Sequence, residues 1–160
     1  MANVIAVCGC KNSGKTTLIS RIVDELSREG LKVAVIKHDG HDFVCDIPGT
    51  DTYTFTESGA YAAACFSDNR LFIHRTGTED KLAEIIGMFP EADLIMVEGC
   101  KDSVLPKIEV IRKGVSDHTV SNPEGRFLIA ADWPEDRFDE PQVNINDITA
   151  IIKEIRRICL

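Results

Sequence analysis

Gly9-Cys10-Lys11-Asn12-Ser13-Gly14-Lys15-Thr16 fits the pattern G-x-x-x-x-G-K-[ST] at every defined position. Each residue type meets a need of phosphate binding. Glycines let backbone N–H groups converge on phosphate oxygens, a helix starting here adds the partial positive charge of its N-terminus, and a lysine ammonium reaches the β- and γ-phosphates. The threonine hydroxyl is a ligand for Mg²⁺. Gly9, Asn12, Ser13, Gly14, Lys15, Thr16 and Thr17 are therefore the candidate phosphate residues. Lys11 stands one place beyond where some phosphate loops carry a second lysine, and reads as a solvated loop charge.

A phosphate loop needs an acid at the carboxyl end of a nearby strand to hold Mg²⁺ through water. Asp93-Leu94-Ile95-Met96-Val97-Glu98-Gly99 supplies it: an apolar run ends on Glu98, and Gly99 allows close approach by phosphate or a moving loop. A second candidate region runs from Lys37 to Thr52 and contains His38, Asp39, His41, Asp42, Cys45, Asp46 and Asp51. In an open α/β sheet such a loop lies over the ligand crevice, so Lys37 is expected to face phosphate and some acids Mg²⁺ or the attacking water. With Lys37 the only Lys or Arg between residues 33 and 69, repulsion among the acids is expected to keep this loop open until a cation neutralises it. His38, His41 and Cys45 are also close enough in sequence to ligate zinc or nickel, given a further ligand from elsewhere. Slow hydrolysis is expected, because no arginine lies between Arg28 and Arg70 to act from this loop on the γ-phosphate.

The elements that must position these groups follow from hydrophobic spacing. Val4–Cys8 is a short apolar run that predicts a strand buried on both faces. Leu18, Ile19, Ile22, Val23 and Leu26 recur at helical spacing before a stop at Gly30. Val33–Ile36 predicts a second strand, expected as the parallel neighbour of the first in a βαβ unit. Residues 38–60 read as a functional loop with little regular structure. Ala62–Phe66 and Leu71–His74 flank turn residues and predict a hairpin; Leu82, Ile85, Ile86 and Phe89 predict a helix after Thr78, closed by Pro90. Further strands are expected at 94–97, 108–111 and 127–130, and a C-terminal helix through Ile145, Ile148, Ile152, Ile155 and Cys159, capped by Asn144 or Asn146. The fold class expected is a single α/β domain over residues 1–160, P-loop NTPase-type and doubly wound, with a mainly parallel sheet, helices on both faces and a small β-hairpin insertion.

A chain of 160 residues can bury one ordinary core without staples. The net charge of −8 argues against a nucleic-acid or anionic-membrane binder, which needs a basic face. Asp132, Glu135, Asp136, Asp139 and Glu140 form a dense acidic cluster that reads as a solvated loop. The N-terminal apolar run is too short for a signal peptide or a membrane span, so a cytoplasmic protein is expected, with its six cysteines reduced and mostly buried.

The phosphate loop, the stretch K-H-x-x-H-D-x-x-x-D-x-P-G-x-D from Lys37 to Asp51, Ser58-Gly59-Ala60, Val97-Glu98-Gly99-Cys100-Lys101 and Leu105-Pro106-Lys107-Ile108-Glu109-Val110 follow one another in a recognisable order. In these motifs, over residues 4 to 112, the chain resembles the molybdopterin-guanine dinucleotide biosynthesis protein B (MobB) family. The resemblance implies a homodimer that binds GTP with Mg²⁺, hydrolyses it slowly and assists the guanylyltransferase that attaches GMP to molybdopterin, with the molybdenum cofactor as a further candidate partner. It places the phosphates on Gly9 to Thr17, Mg²⁺ on Thr16 and Glu98 with Asp46 as a further ligand, and Lys37, His41, Asp42 and Asp46 near the γ-phosphate. Lys15, Asp42 and Asp46 are then the candidate catalytic residues. Two departures matter, one from the family pattern and one from the guanine signature of many GTPases. Ile111 stands where E-V-H-R would carry histidine, and no [NT]-K-x-D guanine signature follows Glu98. Guanine preference thus rests on the resemblance, with Asp132 the positional candidate for a base contact. Two other readings share the phosphate loop: a nickel-enzyme maturation GTPase using His38, His41 and Cys45, and an ATP-dependent ligase of the dethiobiotin synthetase type.

Overall fold

A computed structural model describes residues 3–40, 43, 45–76, 82–133 and 137–160. Its elements are β1 (Asn3–Gly9), α1 (Lys15–Arg28), β2 (Val33–Lys37), α2 (Asp51–Glu57), β3 (Ala62–Ser67), β4 (Arg70–Arg75), α3 (Leu82–Gly87), β5 (Leu94–Glu98), β6 (Lys107–Ile111), β7 (Arg126–Ala131), β8 (Gln142–Asn144) and α4 (Ile148–Cys159). The contacts gather into two units, Met1–His38 with Ile85–Leu160, and Asp39–Glu84.

The first unit holds a six-stranded sheet in the order β2-β5-β1-β6-β7-β8, every neighbouring pair parallel. The expectation that β1 and β2 are neighbours is corrected: β5 lies between them. The burial explains the order. All of Leu94–Val97 is buried, which requires a strand on each edge, whereas β2 is only partly covered and Val35 is 45% exposed. A helical crossover fixes that two strands are parallel, not that they touch.

One face of the sheet carries Ile5, Val7, Leu94, Met96, Ile108, Val110, Leu128 and Ala130, which share a core with Leu18, Ile19, Ile22 and Leu26 of α1 and Ile151, Ile152 and Ile155 of α4. The four α1 residues lie at helical spacing on one stripe, so a single face of the helix is buried. On the opposite face Ile111, Ile129 and Ala131 pack with Trp133 and Phe138. The helix α4 begins on Asp147, whose side chain accepts from Ala150 N at 3.0 Å, so neither Asn144 nor Asn146 is the cap. Asn144 instead accepts from Asn146 N in the turn before it.

Two charged side chains are built into this unit. Lys107 is fully buried and its Nζ donates to Ser103 O (2.7 Å), Asn122 O (3.3 Å) and Glu124 O. Glu109, also fully buried, accepts from Ser121 N (3.2 Å), Ser121 Oγ (2.6 Å), Val120 N and Arg126 Nη1 (3.0 Å). Buried ions persist only when their hydrogen-bonding capacity is met. Here the two side chains tie the connections around residues 103 and 120–124 to the floor of the sheet. Arg126 also pairs with Glu140, so that acid belongs to a buried network and not to a solvated loop. Glu135 and Asp136 lie outside the described residues.

The second unit contains α2 and the antiparallel hairpin β3–β4, whose six register pairs run from Ala62↔Arg75 to Ser67↔Arg70. The hairpin meets the expectation. The segment 38–60 does not: it contains α2, begun by Thr50, whose Oγ1 accepts from Tyr53 N. Of the six cysteines, all free, only Cys8 is buried; Cys45 and Cys65 are exposed and the other three are partly covered. Among the described residues no helix is long and apolar enough to cross a membrane.

Candidate functional site

The candidate site lies along the carboxyl ends of the parallel strands, where open α/β sheets bind ligands. The segment following β1 turns sharply. Gly9 has φ +136°, Asn12 +63° and Gly14 +98°, and such alternation directs successive N–H groups into one concavity. Gly9 cannot be replaced without movement. A Cβ there would meet Val110 O at 2.4 Å and Ser13 Oγ at 3.0 Å, because the strand passes directly against its register partner in β6.

Three features of this loop suit an anion. Gly14 is the N-cap of α1, with no side chain capping the first turn and no acid in it, so the helix N-terminus keeps its N–H donors and positive end. Ser13 is fully buried, and its Oγ has no hydrogen-bond partner among the described residues. Lys15 folds over the loop, its Nζ donating to Gly9 O at 3.1 Å and Cys10 O at 2.7 Å. An ammonium satisfied by neutral carbonyls exchanges them for phosphate oxygens with a gain in charge-assisted bonding.

Beside the loop, Thr16 Oγ1 lies 3.0 Å from both carboxylate oxygens of Glu98. The register Val7↔Glu98 places that carboxylate next to the strand that leads into the loop. A hydroxyl and a carboxylate drawn together at a helix start form the hard oxygen donor set that Mg²⁺ takes. These residues fit a Mg²⁺–nucleotide. Lys37 is the register partner of Glu98 across β2 and β5, so it also reaches this edge. At Gly99, φ +106°, a Cβ would lie 2.9 Å from His38 O, so the close approach there is made by the chain leaving β2, which His38 N fixes by donating to Glu98 O at 2.9 Å.

Other expected residues have different surroundings. Asp46 belongs to the second unit, where its carboxylate accepts from Ile47 N (2.9 Å), Thr50 Oγ1 (3.1 Å) and Thr52 Oγ1 (3.2 Å) and lies 3.7 Å from His74 Nδ1. It organises the turn into α2. His41 and Asp42 lie outside the described residues, as does one member of the His38, His41 and Cys45 set. Among the described residues no group of three or more His, Cys, Asp or Glu side chains is gathered to hold a metal. Asp132 accepts from Lys113 N at 2.6 Å through Oδ1, and its Oδ2 lies 3.9 Å from Arg112 Nε.

Arg112 is the residue that sequence reasoning missed. Its Nη1 lies 3.0 Å from the position a Cβ on Gly14 would take, directly against the phosphate loop. The available signal was that Glu109, Val110 and Arg112 match the E-V-H-R stretch in which Ile111 replaces the histidine.

The family model described as molybdopterin guanine dinucleotide synthesis protein B matches residues 4–132. The molybdopterin-guanine dinucleotide biosynthesis adapter protein of Haemophilus influenzae is 29% identical over 151 residues, covering 92% of this chain and 84% of that protein. The adapter protein of Escherichia coli is 29% identical over 158 residues, covering 94% of this chain and 90% of its own. Bacillus subtilis MobB superposes with a TM-score of 0.73 at 26% identity, covering 95% of this chain and 97% of the other. A MobB homolog from Bacillus stearothermophilus gives 0.70 at 25%, covering 97% and 99%. The phosphate loop, the Thr16–Glu98 pair and the parallel sheet that brings them together are thus found in a chain that belongs to the MobB family.

Proposed function

We propose that this protein is a GTP-binding adapter in the synthesis of molybdopterin-guanine dinucleotide, working as one P-loop nucleotide-binding module with weak Mg²⁺-dependent hydrolysis. The observation that carries the reading is the Thr16–Glu98 contact beside a phosphate loop whose buried Ser13 hydroxyl has no protein partner among the described residues. The names of its relatives in Haemophilus influenzae and Escherichia coli support the adapter role. In the proposed cycle, Lys15 leaves Gly9 O and Cys10 O for phosphate oxygens, and the N–H groups of the loop and first helical turn hold the phosphate chain. Thr16 and Glu98 hold Mg²⁺, which would neutralise charge on the phosphates. Asp42 and Asp46, with Lys37 and His41, are the residues proposed to act near the γ-phosphate.

The partners in this reading are the molybdopterin guanylyltransferase, the molybdenum cofactor and a second copy of the chain. The hairpin supports the last of these. Phe66, Leu71 and Ile73 share one of its faces and are 81%, 68% and 52% exposed, an apolar surface suited to burial against another chain.

Isothermal titration with GTP and ATP in Mg²⁺ tests the reading. GTP is expected to bind more tightly than ATP. Lys15→Ala is expected to weaken GTP by about ten- to hundred-fold, the effect of losing a hydrogen-bonded charge contact. Glu98→Gln is expected to raise the Mg²⁺ concentration that binding requires. A Lys15→Ala protein that binds GTP like the wild type would refute the site.

A further inference from the structure

The strand order lays an axis across the candidate site. β5, carrying Glu98 and its Thr16 partner, flanks β1 on one side, and β6 flanks it on the other. Arg112 follows β6 immediately, and its Nη1 comes against Gly14. The base of this side chain is fixed. The Arg112 carbonyl accepts from Val115 N and Ser116 N, both at 2.9 Å, and its N–H donates to Ser116 Oγ at 3.4 Å. The head makes one long ion pair among the described residues. The Asp132 carboxylate is 3.9 Å away, beyond hydrogen-bond reach, and the guanidinium makes no hydrogen bond to another described residue. The side chain is 43% exposed. A permanently charged fork of N–H donors, anchored at its stem and resting on a phosphate loop, is set to take an anion.

We infer that Arg112 is a nucleotide-binding residue that pairs with the phosphates retained in GDP, and that Asp132 positions it and does not read the base. The inference rests on the proposed nucleotide site. The side of the loop decides which phosphates are meant. The Mg²⁺ donor pair lies toward β5, the side on which the terminal phosphate is expected. Arg112 arrives from the opposite strand, so it reaches the part of the chain that hydrolysis leaves behind. A cation there strengthens GTP and GDP alike and adds nothing to the chemical step, in contrast to an arginine acting on the γ-phosphate. Asp132 keeps the guanidinium near the loop while Lys113 N holds the carboxylate in place.

The test compares Arg112→Gln, Arg112→Lys and Asp132→Asn with the wild type by titration with GTP, GDP and inorganic pyrophosphate in Mg²⁺, with melting temperatures recorded. Arg112→Gln is expected to weaken GTP, GDP and pyrophosphate by a common factor of about ten or more. Arg112→Lys should recover part of that loss. Asp132→Asn should produce a smaller common loss and leave the preference for GTP over ATP intact. Weakening confined to GTP would place Arg112 at the γ-phosphate and overturn the inference. Weakening of nucleotides with pyrophosphate unaffected would place it at the sugar or base, and unchanged binding of every ligand would remove it from the site. If Arg112→Gln melts lower than the wild type, Arg112→Lys carries the comparison. Wild-type protein that binds no nucleotide would defeat the nucleotide reading itself, a result distinct from normal wild-type binding with an unaffected variant.

Discussion

Gly9→Ala places one methyl group where β1, β6 and the phosphate loop meet. The new Cβ would stand 2.4 Å from Val110 O, well inside contact distance, and its other near neighbour is the buried Ser13 Oγ at 3.0 Å. Relief by rotation is closed as well, since φ at this residue is +136°, a region that alanine enters only under strain. Backbone strain of about 1–3 kcal/mol adds to an overpacking cost of about 1–3 kcal/mol, which gives about 3 kcal/mol as the working figure. A domain of this size unfolds in urea with a slope of about 2 kcal/mol/M, so the midpoint should fall by about 1.5 M with the slope unchanged. The loss should be local in origin. Gly9 pairs with Val110 at the end of the β1–β6 ladder, so the strands would part first beneath the loop, and GTP affinity should fall with stability. Urea melts followed by circular dichroism, with and without saturating GTP, measure both effects. A midpoint within 0.3 M of wild type, or on the order of that difference, would show that the ladder yields freely there and that glycine is not required by packing.

Lys107→Met should cost about 3 kcal/mol or more in urea unfolding, because Ser103 O, Asn122 O and Glu124 O would each lose a buried charged donor; a loss under about 1 kcal/mol would mean that water replaces Nζ. Burial pushes the Cys8 thiol up to about 12 from 9.0, and this sets a stability window. The unfolded chain ionises this thiol near pH 9 while the folded one does not, so its contribution is complete below pH 9 and is lost as the pH climbs toward 12. By pH 10 the wild type should have lost about 1.4 kcal/mol relative to a Cys8→Ala variant, and equal pH profiles for the two would contradict the shift. At neutral pH a maleimide should label Cys45 and Cys65 quickly and Cys8 only after unfolding.

The fold was legible in the sequence wherever apolar spacing was strong. β1 and β5 are short runs rich in aliphatic residues, and α1 repeats its apolar residues at helical spacing between a glycine-rich loop and Gly30. The element α2 escaped because Asp51-Thr52-Tyr53-Thr54-Phe55-Thr56-Glu57 has no apolar stripe: only Thr52 is buried, and the helix is held at its start by the Thr50 cap and the Asp46 turn. Strand order was hidden for a different reason. Val33-Ala34-Val35-Ile36 and Leu94-Ile95-Met96-Val97 are equally apolar runs, and nothing local says that the first is an edge and the second has neighbours on both sides.

That same concealment decides which parts of the candidate site could be read. The phosphate loop is continuous in sequence, and Glu98 follows from the requirement that an acid end a strand beside it, so both were accessible to spacing alone. Arg112 was not placed by spacing alone: it stands at the arginine of the E-V-H-R stretch, but its reach to the phosphate loop follows only once β6 is known to lie against β1. The stretch Pro106 to Val110 is informative in the opposite sense. It belongs to the motifs that carry the family resemblance, yet Lys107 and Glu109 are fully buried and hold backbone groups of the neighbouring connections. In the proposed nucleotide site their charges would therefore act through position only: they tie down the segments on either side of β6, where Val110 is in register with Gly9 and Arg112 emerges at the loop. Removing either buried charge should accordingly weaken GTP and GDP together with stability, whereas removing Arg112 should weaken them without it.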